Sequence, residues 1–312
     1  KTYPQPERPH KYFMQLIYLD MCAVSCLAIR ENDNWPSIRA KLVAGATRGT
    51  ITCPMPYETV FESAPCTKEQ RIAIDSFFRQ VAAGMSFRSY DNILIDSTIK
   101  LIRPDIPVTP YGNLPPSDWA ADEDYAATTE ILHKERIARM KQNMESYVQP
   151  AGAEKMTYDE LLSAISAERC GKIWRDLMRL AQDSGTDIES YEMPWMVKEF
   201  IDRRLTPAEM ASLCELIRHH HWEDIPVNVI DLLVGTYWAH DYIRVYKNGY
   251  KPNDEIDRWR AAVALAHADV FVTDGYTADL CRRPKVRHCC RTKTYSVTQS
   301  KEFEQYLTKT GV

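Results

Sequence analysis

Two short, largely apolar runs, each closed by an aspartate, constrain this chain more than any other feature. Met14 to Leu19 ends at Asp20, and Val270 to Thr273 ends at Asp274. Runs of this kind, apolar nearly throughout rather than strictly alternating, suit strands buried on both faces, as in a parallel sheet covered by helices. A third strand candidate, Thr50 to Cys53, is stopped by Pro54 and Pro56. Helical patterning lies between these runs. It covers 21–29 and 35–46, a short helix carrying Glu58 and Glu62 with proline in its first turn, and 67–85, where Ile72, Phe77, Phe78 and Val81 recur at helical spacing. The expectation is an α/β fold with a central parallel sheet.

The middle of the chain reads differently. Asn92 to Ile102 fits either a strand or a helix, and the proline-rich stretch from Pro104 to Pro116 suggests an irregular crossing. Beyond it, 118–148, 157–183, 188–203 and 206–221 all pattern as helices. The last opens on Thr206-Pro-Ala-Glu209, a capping-box signature with proline at the first helical position. The α/β pattern resumes with a helix over 228–246, a helix opening at Asn253 to Asp257, the strand ending at Asp274, a short strand over 295–298 and a terminal helix over 301–307. The expected organisation is a loose arm over 1–11, an α/β core in two halves, 12–112 and 225–312, and an all-helical insertion or cap over 113–224.

Composition narrows the class. A 45% hydrophobic content over 312 residues is enough for a real core, and the net charge of -4 argues against a generally basic nucleic-acid binder. No run approaches the roughly 18 consecutive apolar residues of a membrane span, so no membrane association is expected. The opening Lys1 to His10 is polar and proline-rich, without the apolar core of a signal peptide. Nine cysteines, an odd number with Cys22, Cys26 and Cys53 in apolar runs, suit reduced thiols in a soluble cytoplasmic protein.

Asp20 and Asp274 close strands, Glu58 follows the second strand, and Asp257 lies 17 residues before Asp274 near the start of the intervening helix. Strand C-termini and adjoining helix N-termini form the functional edge of open parallel sheets, so these four acids are expected to converge. Carboxylates packed together repel unless a cation sits among them. Mg²⁺ or Mn²⁺, hard ions that take oxygen ligands, would meet that need, and without one the removal of an acid such as Asp20 should stabilise the protein.

Through Leu19-Asp20, Pro56-Tyr57-Glu58, Asp254-Glu-Ile-Asp257 and Asp269-Val-Phe-Val-Thr-Asp274, in that order, the sequence resembles the PIN domain family of nucleases, the PilT N-terminus type, over about residues 12–100 and 225–310. The resemblance implies a PIN-like three-layer fold with a large helical insertion, and metal-dependent hydrolysis of phosphodiester bonds, most naturally in single-stranded RNA. Asp20, Glu58, Asp257 and Asp274 would be catalytic metal ligands for Mg²⁺ or Mn²⁺. Glu62 and Asp254 are possible additional acids, with Asp257 preferred because its distance to Asp274 is nearer the family's pattern and Asp254 suits an N-cap. Thr273 would position a ligand or the attacking water. The chain departs from the family in Gly275, where many members carry another acid.

A basic run with no acid between Arg282 and Lys293, comprising Arg282, Arg283, Lys285, Arg287, Arg291 and Lys293, follows the Asp274 strand in sequence and could grip a phosphate backbone, with Tyr276 stacking on a base. An inhibitory protein partner or a second copy of the chain are further possible partners. Competing readings are a catalytically inactive PIN-like scaffold for RNA or protein, and a haloacid-dehalogenase-like phosphatase. The latter wants a second Asp two residues after the first, where this chain has Cys22. His219, His220 and His221 lack a His-Glu-x-x-His pattern and suit a helix C-terminus. Cys281, His288, Cys289 and Cys290 lack Cys-x-x-Cys pairs for zinc.

Overall fold

The computed structural model describes residues 14–29, 33–145, 152–169, 205–219, 224–244 and 252–311. The arm over 1–11, the helix expected over 188–203, most of that over 157–183, and His220 and His221 lie outside the described residues. The chain divides into two compact units, one from the described parts of Lys1–Ser89, Pro110–Val148 and Asn248–Val312, the other from those of Tyr90–Thr109 and Gln149–Lys247.

The first unit is α/β. Its strands are β1 (Gln15–Leu19), β2 (Ile51–Thr52), β3 (Met85–Phe87), β4 (Tyr111–Asn113), β5 (Val270–Thr273) and β6 (Lys293–Ser296). Four of them form a parallel sheet in the order β2-β1-β5-β6, while β3 and β4 pair antiparallel as a separate ribbon. Leu19 pairs with Val272 in register, and Asp20 N–H extends the ladder by donating to Val272 O at 2.9 Å. The ends of β1 and β5 are thereby fixed side by side. At the opposite end Asp269 locks the same two strands, its carboxylate accepting from Leu16 N–H at 2.8 Å.

Burial on both faces explains the apolar runs. Ile17, Leu19, Val270 and Val272 face a cluster shared with α1 (Met21–Ala28), α2 (Trp35–Thr47) and α4 (Lys68–Val81), through Val24, Ile38, Leu42, Ile74 and Phe78. Tyr18 and Phe271, one residue out of phase, meet edge to face, and Tyr18 also packs on Phe87 of β3. Fully buried aliphatic side chains of this kind each cost about 2–5 kcal/mol when cut to alanine.

Helix ends follow their chemistry. A reciprocal capping box between Thr67 and Gln70 opens α4. That helix stops at Val81 rather than reaching Met85, because Ala83 and Gly84 take positive φ and turn the chain into β3. The last strand is Lys293–Ser296, earlier than the span read from sequence, since residues from Val297 wind into a 3₁₀ turn. The remaining helices of this unit are α3 (Glu58–Ser63), α5 (Glu123–Glu145), α6 (Pro252–His267), α7 (Gly275–Arg282), α8 (Pro284–Cys289) and α9 (Ser300–Lys309). Helix α5, read from sequence as part of the helical middle, packs against α3 and α6.

The second unit is helical where described, with helices Tyr90–Lys100, 158–169, Pro207–Arg218 and Pro226–Arg244. The stretch that fitted strand or helix is thus a helix. The capping box at Thr206 forms, with Glu209 N–H donating to Thr206 Oγ1 at 3.3 Å and Thr206 N–H to the Glu209 carboxylate at 2.8 Å. Inside the unit, buried Asp231 accepts hydrogen bonds from Arg169 at 2.8 Å and Tyr90 at 3.3 Å. Among the described residues no helix is long and apolar enough to cross a membrane.

Candidate functional site: a carboxylate cluster around Arg260

Local folding puts Asp20 and Asp274 at equivalent places. Each follows its strand with extended backbone and begins a helix. Asp20 accepts from Met21 N–H at 2.6 Å at the start of α1, and Asp274 accepts from Tyr276 and Thr277 N–H at 2.8 and 3.1 Å at the start of α7. Both acids are therefore N-caps, which does not prevent their remaining lone pairs from meeting a ligand. The buried Thr273 hydroxyl joins them. It donates to Asp20 Oδ2 at 2.7 Å, with Asp274 Oδ2 at 3.3 Å as its alternative acceptor.

The cation among these acids belongs to the protein. Arg260, on α6 one turn after Asp257, is 2% exposed. Its Nη1 donates to Asp20 Oδ1 at 2.7 Å and lies 3.7 Å from Asp257 Oδ1, while Nη2 is in direct contact with Glu62 Oε2. That last contact is an ion pair rather than a well-directed hydrogen bond, and Arg260 Nε is buried without a hydrogen-bond partner. Burial alone would push the guanidinium towards losing its proton. The charges of Glu62 and Asp20 outweigh it and hold Arg260 above its ordinary value, fully charged.

Glu58 opens α3 and is buried at 4% exposure, and Glu62 lies one turn further along the same helix. Of the two, Glu62 engages Arg260. Burial raises its carboxyl, Arg260 opposes the rise, and Asp20 and Glu58 add to it. Asp257, with about a third of its side chain exposed (32%), is pushed up to about 8, first by desolvation and then by the charge of Asp20. Asp254 lies inside α6, which begins at Pro252, so it is not the N-cap expected from sequence; its side chain lies outside the described residues. Cys22, in the first turn of α1, points its thiol at Asp20 Oδ2 at 3.8 Å, and burial together with Asp20 and Asp274 pushes that thiol up.

Asp20, Glu62 and Asp257 are thus gathered directly on one guanidinium, Asp274 is tied to Asp20 through Thr273, and Glu58 is close enough for its charge to bear on Arg260 and Glu62. An all-carboxylate donor set suits a hard divalent cation. As they stand around Arg260, however, no three Asp, Glu, His or Cys side chains among the described residues are grouped to hold a metal ion. Sequence reasoning missed Arg260 and Cys22. The signal for Arg260 was present: an arginine three residues after an acid, immediately before the buried Ala261, Ala262 and Ala264, lies on a helix that faces the core.

The basic run does not form one free patch. Arg282 donates to Thr294 O at 2.9 Å and contacts Gln299, Arg283 pairs with Asp279 at 3.2 Å, and Lys293 lies over the Tyr306 ring at 4.5 Å. Lys285, Arg287 and Arg291 are exposed, and Tyr276 is half-buried at the start of α7. In the second unit His219 stands 3.6 Å from Glu215, one turn earlier on its helix. No protein-family model, no curated protein and no solved structure matches the chain.

Proposed function

We propose that this chain is a PIN-like, divalent-metal-dependent nuclease that hydrolyses phosphodiester bonds in single-stranded RNA. One observation carries the reading: Asp20 and Asp274 close adjacent parallel strands and share the hydroxyl of Thr273, with Asp257 and Glu62 brought to Asp20 by Arg260. Strand C-termini are where sheets of this kind carry their chemistry. Asp20, Asp257 and Asp274, with Glu58, are the residues that would hold Mg²⁺ or Mn²⁺, and doing so requires their carboxylates to converge further than they do around Arg260. When bound, such a cation supplies a water of lowered pKa and positive charge for the leaving oxygen. The chain's own part is to orient: Thr273 sets Asp20 against Asp274, and backbone N–H groups at the starts of α1 and α7 hold both carboxylates in place. Lys285, Arg287 and Arg291 offer positive charge for the phosphate backbone of the substrate.

Cleavage of an unstructured RNA in Mn²⁺ tests this reading. It requires activity in the wild type that is lost in both Asp20→Asn and Asp274→Asn; a wild type without metal-dependent cleavage overturns it. Arg260 also favours a second reading, a catalytically inactive PIN-like scaffold that binds RNA or protein, because the guanidinium already balances part of the acidic charge. RNA binding by a wild type that neither binds Mn²⁺ nor cleaves would select that alternative.

A further inference from the structure

We infer that the solvent face of α5 is a self-association surface, on which the α5 of a second copy of this chain packs antiparallel about a two-fold axis between Ile131 and Leu132. The inference does not depend on the nuclease reading, because α5 carries none of the residues placed in the carboxylate site.

Helix α5 packs against α3 and α6 with one side. Ala126 and Thr129 are buried there, whereas Asp124, Tyr125, Thr128, Ile131, Leu132 and Glu135 on the other side are exposed. Ile131 is 58% exposed and Leu132 48%, and with Tyr125 they make three of the five exposed large hydrophobic side chains among the described residues. Such side chains scattered singly need no explanation, but three on one helix face mark a contact surface. Their spacing is that of a helix-packing seam, since positions 124, 128, 131, 135 and 138 advance by four and three in turn.

Charge identifies the occupant. Asp122 caps the helix by accepting from Tyr125 N–H at 2.9 Å, and Glu123 pairs with Arg71 at 2.8 Å, so Asp124 is the acid that the outer face presents at its N-terminal end. An antiparallel pair centred between Ile131 and Leu132 sets position 124 of one copy opposite position 139 of the other, aspartate against arginine, and symmetry repeats this at the far end. The same register sets Thr128 opposite Glu135, a hydroxyl donor against a carboxylate, and Ile131 opposite Leu132 at the centre. A slip of one turn either brings Asp124 to Glu135 or carries it past Arg139 to Asn143, and a parallel pair sets each acid against itself. The face is therefore complementary to itself in one orientation and one register. That property fits a second copy rather than a lipid surface or an unrelated helix.

Sedimentation velocity of the full chain tests this at about 1–100 µM, a range suited to an interface one helix wide. Wild type is expected to pass from monomer to dimer as its concentration rises. Asp124→Arg and Arg139→Asp each set like charges opposite one another in the pair, and each should weaken association about tenfold or more. An equimolar mixture of these two variants should dimerise again, because every arginine then meets an aspartate; that recovery also shows that both variants are folded. Ile131→Ser combined with Leu132→Ser, which changes only exposed side chains, should likewise weaken association about tenfold or more. A wild type that stays monomeric throughout overturns the inference and leaves the face to a partner of another kind. So does a dimer that persists in Asp124→Arg or in the double serine variant, or a mixture of the two charge variants that stays monomeric.

Discussion

Arg260 Nη1 donates to Asp20 Oδ1 at 2.7 Å across 240 positions of sequence, and both side chains are almost completely buried. A buried charge that loses its partner is costly, by about 3–5 kcal/mol, because the other charge remains without compensation. This reverses the expectation, drawn from clustered acids alone, that removing Asp20 should stabilise the metal-free protein. Asp20→Asn is expected to lower its melting temperature. A rise on that substitution, measured by calorimetry without metal, would show that repulsion among the acids outweighs the pair with Arg260.

Asp257 carries the opposite sign and a pH dependence. Its carboxyl is pushed up to about 8, against about 3.9 for an unfolded aspartate. In the window between these values the folded chain holds a proton that the unfolded chain releases. The contribution is fully present below about pH 3.9 and is lost as the pH rises through about 8. Metal-free protein should therefore lose stability between pH 6 and pH 8.5, and Asp257→Asn should flatten that slope. Denaturant titrations of both proteins at three pH values would decide this, with equal slopes counting against it.

Asp274 separates its structural task from its proposed ligand task. Asparagine caps a helix about as well as aspartate, whereas alanine loses about 0.5–2 kcal/mol. Asp274→Ala is expected to destabilise α7 by that order, and Asp274→Asn to melt within a few degrees of wild type while binding Mn²⁺ at least tenfold more weakly. Titration calorimetry with Mn²⁺ on both variants checks it, and unchanged affinity in Asp274→Asn removes Asp274 from the ligand set.

Thr273 is fully buried and its hydroxyl lies between the two strand-closing acids. Thr273→Val keeps the shape and deletes the donor, leaving Asp20 short of one hydrogen bond at a cost of about 1–3 kcal/mol. Thr273→Ser should retain most of that. Equal melting temperatures for the valine and serine variants would mean that the hydroxyl does not position Asp20.

The exposed cations offer a test of the substrate. Replacing Lys285, Arg287 and Arg291 together by alanine should weaken binding of single-stranded RNA and make its salt dependence shallower, by about 0.7 in slope for each phosphate that is no longer neutralised. Unchanged affinity and slope in fluorescence anisotropy would place RNA elsewhere on the protein.

The α/β class, the parallel sheet and the places of Asp20 and Asp274 at strand ends were legible in the chain, because burial on two faces writes an apolar run and a strand-to-helix turn selects an N-capping acid within a few residues. The helix Tyr90–Lys100 was not, since a short apolar stretch has the same composition in a buried strand and a buried helix until its neighbours cover it. Nor did the chain alone distinguish Glu62 from Glu58 as the partner of the site, or reveal that the cation between the acids is Arg260. Those facts depend on contacts between α3, β1 and α6, which only the folded sheet brings together. In water each of those side chains is a solvated surface charge of no distinction; burial beside one another is what makes their pairing obligatory.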